Sequence, residues 1–269
     1  MTSNKGVYAS DHSDSVLRGH SRRTAEDSLA YLLSEIQPNM KILDIGCGPG
    51  SITVDLAKRI PQGHIIGIDY TEEPLVQARA LAISQDVTNI DFQIGDIHDL
   101  PFKDETFDIV NAHQVLQHIR NPVQAIKEMK RVAKKGGLVA VRESASMIWY
   151  PQTPELAEWK DLHTRVSTTK GGNPDPGSYI HVWAGEAGFE RADILCSAGA
   201  WCYSTKEEIA WWSELWVDRL TQTSFAKFAV DGGHCTQDHL QWLADGWRKW
   251  GKDENARFSI LHGEIICKV

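Results

Sequence analysis

Three glycines at alternate positions, Gly46, Gly48 and Gly50, follow an apolar run that ends at Asp44. Such a loop turns tightly and lets the backbone come within contact distance of a ligand, so it suits a nucleotide-like cofactor. The spacing is G-x-G-x-G, with Ser51 where a dinucleotide loop places its third glycine, which argues against a pyrophosphate at the following helix. Two more acids end apolar runs: Asp69 in Ile65-Ile66-Gly67-Ile68-Asp69, and Asp96 in Phe92-Gln93-Ile94-Gly95-Asp96-Ile97. Asp69 stands close to the roughly 20-residue offset at which a carboxylate takes ribose hydroxyls. Asp96 suits an adenine amino group, with Ile97 against the ring face.

A fourth run, Phe107-Asp108-Ile109-Val110, leads into Asn111-Ala112-His113-Gln114 and a short helix predicted over residues 115–118. In an open α/β fold the carboxyl ends of the strands border the ligand crevice, which places His113 there. A neutral imidazole near pH 7 accepts a proton from a thiol or hydroxyl, so His113 reads either as a general base or as a residue lining the cofactor. His118, a turn and a half further on, reads as structural.

These ordered segments, with Glu128-Met129-Lys130-Arg131-Val132-Ala133-Lys134-Lys135-Gly136-Gly137-Leu138-Val139, resemble the class I S-adenosylmethionine-dependent methyltransferases, in particular their UbiE-like small-molecule branch. The resemblance covers about residues 25–145 well. Within the branch, residues 22–33 and 112–118 look like a fungal and bacterial subgroup that includes enzymes methylating dithiol natural products such as reduced gliotoxin.

The resemblance implies an α/β, Rossmann-like fold: a mostly parallel seven-stranded sheet with an antiparallel last strand, helices on both faces and a helical cap. It implies S-adenosylmethionine as cofactor and S-adenosylhomocysteine as product. Gly46, Gly48 and Gly50 would hold the amino-acid end, with Asp44 near its ammonium. Asp69 would bind the ribose diol, Tyr70 would pack beside adenine or ribose, Asp96 and Ile97 would hold adenine, and His113 and Gln114 would complete the site. Cys47 becomes a small packing residue of the loop rather than a nucleophile.

These residues must be positioned by alternating strands and helices, the pattern of a parallel sheet with right-handed crossovers. Residues 24–35 are predicted as a helix with Ala25, Leu29, Leu32, Leu33 and Ile36 on one stripe and Thr24 as its cap with Asp27. The expected organisation is one domain over residues 1–269: an arm and lid helix (1–36), a cofactor core (37–145), a substrate-side loop and sixth strand (146–203), a Trp-rich helical insertion (204–256) and a last strand (257–269).

Seven of the ten tryptophans lie between Trp201 and Trp250. Ile209, Trp212, Trp216 and Leu220 share one helical face, and Leu240, Leu243, Trp247 and Trp250 another, which predicts a helical pair. The pair is either core packed on the sheet or a cap over a bulky apolar substrate. Trp211 and Trp242 fall off the stripes and are candidate pocket residues, with Trp149 and, on the N-terminal arm, Tyr8. Arm and insertion together are expected to form a lid.

Composition narrows the function. A chain of 269 residues with 42% hydrophobic content buries a full core. Its formal net charge of −8 gives no electrostatic footprint for nucleic acid, and the run Lys130, Arg131, Lys134 and Lys135 sits where cations complement a helix end. Without a signal-like segment or a membrane-length apolar run, a cytoplasmic protein is expected. Cys47, Cys196, Cys202, Cys235 and Cys267 lack disulfide or zinc spacing, and no acidic cluster suggests a catalytic metal.

The expected reaction is methyl transfer to a small, largely apolar molecule, with S-methylation of a dithiol as the leading case. Oxygen, nitrogen and carbon acceptors stay open. So does a cofactor-binding protein of the same fold that transfers no methyl group, and a nicotinamide dehydrogenase is disfavoured by Ser51.

Overall fold

Ile42, Leu43 and Ile45 are all buried in β1 (Lys41–Ile45), as in a parallel strand with helices on either side. A computed structural model describes residues 22–269. β1 pairs in parallel with β2 (His64–Asp69) and β4 (Phe107–His113), β2 with β3 (Ile90–Ile94), and β4 with β5 (Ala133–Tyr150). β7 (Arg257–Lys268) runs antiparallel between β5 and β6 (Ile194–Tyr203), closing a seven-stranded sheet of order β3-β2-β1-β4-β5-β7-β6. This is the expected mostly parallel sheet. Because β2 and β4 flank β1 on opposite sides, the order reverses at β1, and the carboxyl ends of β1 and β4 border the ligand crevice of such folds.

Helices α1 (Ala25–Ser28) and α2 (Ser51–Arg59) cover one face with Ala25, Ile52, Leu56 and Ala57. α3 (Glu72–Ser84) packs along the outer strands through Leu75 and Ala78. α4 (Pro122–Val132) starts where the Asn121 side chain accepts from the Gln124 N–H and Pro122 presets the first turn, and it buries Ala125, Ile126 and Met129 on the other face.

A second core lies over the far ends of β5 and β7. It is built by α5 (Pro154–Thr169), α7 (Lys206–Gln222), α8 (Ser224–Asp231) and α9 (Gln237–Trp250), while the short α6 (Ile180–Glu186) belongs to the sheet core. Trp159 of α5 stands at its centre, edge-on to Trp216 at 4.4 Å and to Trp247 at 4.9 Å. Both predicted stripes are buried there. The insertion nevertheless holds three helices rather than two, and α5 joins them from before β6.

Three local expectations are corrected. The helix predicted over residues 24–35 lasts one turn, because the Asp27 carbonyl that a continuing helix would give to residue 31 accepts from Trp201 Nε1 at 2.9 Å. Leu29 and Leu32 are buried all the same. The segment after residue 145 begins as strand, not loop: β5 runs on to Tyr150 because β7 pairs with it along that length, Trp149 facing Phe258 and Tyr150 facing Arg257. The helix predicted at residues 115–118 is a 3-10 turn, Leu116–His118.

Candidate active site

The glycine loop leaves β1 with Gly46, Gly48 and Gly50 all at positive φ, between 54° and 80°, a region that only glycine enters without strain. A side chain at Gly46 would come within 2.5 Å of Val115 Cγ2. Together with the ends of β2 and β4 the loop encloses a cavity of about 150 Å³ lined by Asp44, Gly46, Gly48, Asp69, Tyr70 and Asp96, and by Ile97, His113 and Gln114. Gly50 does not line it. Its place is against α3, where a Cβ would meet Ala78 Cβ at 2.7 Å, so close helix packing is what excludes a side chain there.

Each acid has a definite setting. Asp44 is buried and accepts from Thr53 Oγ1 at 2.6 Å and Asn111 Nδ2 at 2.8 Å; burial outweighs these bonds and pushes its carboxyl up to about 6. Asp69 accepts from the Gly48 N–H at 3.0 Å, tying the second strand to the loop. Asp96 accepts from the His98 N–H at 2.9 Å, and Ile97 beside it is buried. Glycines that let the backbone approach closely, acids at the ends of β1 and β2 and after β3, and an apolar wall at Ile97 and Val115 fit an adenosyl cofactor carrying an ammonium.

A second cavity of about 410 Å³ lies under the cap, within the range of drug-sized ligand sites. Its aromatic wall is Trp201, Tyr203, Trp211, Trp212, Trp216 and Phe225. Trp211 is among the lining residues. Trp149 is not: it packs in the cap core, stacked on Phe258 at 6.0 Å and edge-on to Trp159. Trp242 is 41% exposed, near His239, and does not line this cavity. Tyr8 and the arm lie outside the described residues.

Arg23, Gln114 and His118 line both cavities and so form the wall between them. Gln114 holds a left-handed conformation, φ 55°, uncommon for a residue other than glycine, and its N–H donates to the Arg142 carbonyl at 2.8 Å. Its side chain accepts from Arg23 Nη2 at 2.9 Å and donates through Nε2 to His262 Nε2 at 2.8 Å. The structure thus moves His118 from a structural place to the shared wall.

Behind this wall is a buried polar network that the sequence reading missed. Arg142 and Glu264 face each other across β5 and β7 at 3.0 Å, both buried. Arg142 also donates to His113 Nε2 at 3.0 Å and lies over the Trp201 ring at 4.8 Å. Glu143 accepts from the N–H groups of Val115, Leu116 and Gln117, fixing the turn that carries Gln114 to His118. The available signal was a charge pair, Arg142-Glu143, placed inside an apolar run, with Glu264 inside another.

Fold and relatives together define an enzyme of the S-adenosylmethionine-dependent methyltransferase class. The chain belongs to the family described as Methyltransferase domain, whose profile matches residues 36–215. It is 34% identical to the uncharacterized methyltransferase C1B3.06c of Schizosaccharomyces pombe, over 97% of this chain and 96% of that protein. It is 28% identical to the probable methyltransferase ltbC of Aspergillus luteorubrus, over 97% and 96%. Among solved structures, a candidate methyltransferase of Bacillus halodurans C-125 superposes with a TM-score of 0.59 at 21% identity, covering 89% of this chain and 97% of that one.

Proposed function

We propose that the protein methylates a small, largely apolar natural product or metabolite seated in the larger cavity, with S-methylation of a dithiol as the best case. The observation that carries this reading is the wall of Arg23, Gln114 and His118 common to the two cavities. A methyl donor in one cavity and a nucleophile in the other meet across it, which is the alignment that in-line displacement needs. The cofactor supplies a methyl group on a cationic sulfur, so the leaving group is already in place.

In this reading Gly46 and Gly48 hold the amino-acid end, Asp44 faces the ammonium, Asp69 takes the ribose diol, and Tyr70, Asp96 and Ile97 hold adenine. Gly50 sets the helix that follows. Trp211 and the neighbouring rings clasp the acceptor. Membership of the UbiE-like branch, a cytoplasmic location and the lack of a nucleic-acid partner are part of the same proposal; among the described residues no helix is long and apolar enough to cross a membrane.

A thiol acceptor is supported by its own chemistry. With a pKa near 8.5 it supplies a nucleophilic fraction of thiolate near neutral pH without a dedicated base. Transfer of a labelled methyl group to a panel of thiols, phenols and amines tests the proposal. Turnover confined to dithiols supports it, turnover confined to phenols or amines moves the acceptor atom, and cofactor binding without transfer to any acceptor removes the methyl-transfer reading.

A further inference from the structure

Resting on that reading, the next question is what ionises the acceptor. Among the described residues around the larger cavity, every carboxylate is engaged by neighbouring donors. Asp27 accepts from the Thr24 N–H and the Ser28 hydroxyl, and Glu208 from the N–H groups of Ser204 and Thr205. Glu264 accepts from Arg142 and Ser197, and Glu143 from three backbone N–H groups.

The imidazoles are no better placed. His113 Nε2 is taken by Arg142. Burial, aided by Arg23, Arg219 and Lys170, holds His118 down to about 3, and burial with Lys160 and Arg219 does the same to His163. His262 is pushed down to about 2 by burial and then by Arg142 and Arg23. Tyr203 is raised to about 12, mainly by burial.

What the cavity does hold is positive charge. Arg219 lies over the Trp216 ring at 4.8 Å and Arg22 over Trp211 at 4.7 Å. Arg23 differs from both in position: it stands in the wall common to the two cavities, over the Trp201 ring at 5.1 Å, where it donates to Gln114 Oε1 at 2.9 Å.

We propose that Arg23 is a catalytic residue that binds the acceptor as an anion, its guanidinium stabilising the thiolate or phenolate at the point where the cavities meet. The acceptor's proton goes to solvent. The anionic sulfur or oxygen then forms its bond to the methyl carbon as the carbon–sulfonium bond breaks, and the electron pair stays on the departing sulfur, which becomes neutral. An anion beside a guanidinium in a partly desolvated wall is favoured in the way that lowers the pKa of a cysteine beside Arg.

The test uses 7-hydroxycoumarin, a phenol whose fluorescence distinguishes its ionised form, titrated with pH in the presence of the purified protein saturated with S-adenosylhomocysteine. The bound phenol is expected to ionise at least about one pH unit below the free phenol, a tenfold shift of the scale that one nearby opposite charge produces. Arg23→Gln should return it to the free value, and Arg23→Lys should keep part of the shift. A bound phenol that ionises at or above the free value, a shift that survives in Arg23→Gln, or the absence of a saturable site overturns the proposal. Cofactor affinity is measured calorimetrically on the same samples: its absence in the unaltered protein counts against the methyltransfer reading, whereas the phenol titration judges Arg23.

Discussion

Arg142 donates to His113 Nε2 across 3.0 Å, and that contact decides what the imidazole can do. A guanidinium carries donors only, so Nε2 is the unprotonated nitrogen and the ring proton is assigned to Nδ1. The nitrogen with which a neutral histidine would take a proton from an acceptor is therefore occupied. Arg142 is itself held by Glu264 on β7 and covered by Trp201, so the pairing is set by two strands rather than by a mobile side chain.

The first prediction follows from that pairing. His113→Gln keeps an acceptor for Arg142 and should lower methyl transfer without changing the shape of the pH–rate profile. A histidine acting as base would instead give an inflection in the region of about pH 5 to 8 that disappears in the variant. Comparing the two profiles decides the matter, and a lost inflection restores the general-base role.

Asp69 carries the second. Placed at the end of β2 with its carboxylate on the Gly48 N–H, it both shapes the loop and faces the strand-end cavity proposed to hold the cofactor. Asp69→Ala should weaken binding of S-adenosylmethionine by about 1 to 3 kcal/mol, the scale of hydrogen bonds to a charged acceptor. Unchanged affinity by calorimetry would mean that the ribose is held by another group.

That these residues gather around one strand-end cavity was legible in the sequence because its parts are local. Asp44, Gly46 and Gly48 sit on one strand–loop–helix unit, Asp69 ends β2 and Asp96 follows β3, so spacing alone brings them to one sheet edge. Gly50 shares that spacing but its conformation serves α3, a distinction that needs Ala78 in place to be visible. Arg142 and Glu264 are 122 residues apart, and only the register of β5 against β7 makes them partners. The same limit applies to Trp211 and Trp242. Helical period marks both as lying off the buried stripe, but only the packing of α7 against β6 puts Trp211 beside Tyr203, at 5.7 Å, while Trp242 meets solvent. The short α1 is a further case, ended by a tryptophan from a strand 174 residues away.

Those two tryptophans give the third prediction. Trp211→Ala should lower kcat/KM for the acceptor on the order of tenfold through loss of a ring surface, with cofactor affinity retained. Trp242→Ala should change neither. Equal effects of the two substitutions on turnover would show that the aromatic wall does not hold the acceptor.

The fourth concerns stability and the carboxyl that caps the turn behind the shared wall. Burial raises Glu143 from an ordinary value of 4.5 to about 8, in spite of the three backbone N–H groups that favour its ionised form. Below about pH 4.5 the group is protonated in the folded and unfolded chain alike, and its contribution is fully present. Between about 4.5 and 8 the unfolded chain ionises while the folded one stays protonated, so stability falls by up to about 1.4 kcal/mol per pH unit, and the loss is complete above about 8. Glu143→Gln removes that titration while keeping an oxygen for the Val115 and Leu116 N–H groups. Its melting temperature, measured against that of the unaltered protein from pH 5 to 9, should therefore gain on it up to about pH 8 and level off above. Asp44 is raised in the same sense but is present in both proteins and cancels from the difference. A difference that stays constant with pH would show that the Glu143 carboxyl is already ionised in the folded protein and that its three hydrogen bonds, rather than its burial, set its charge.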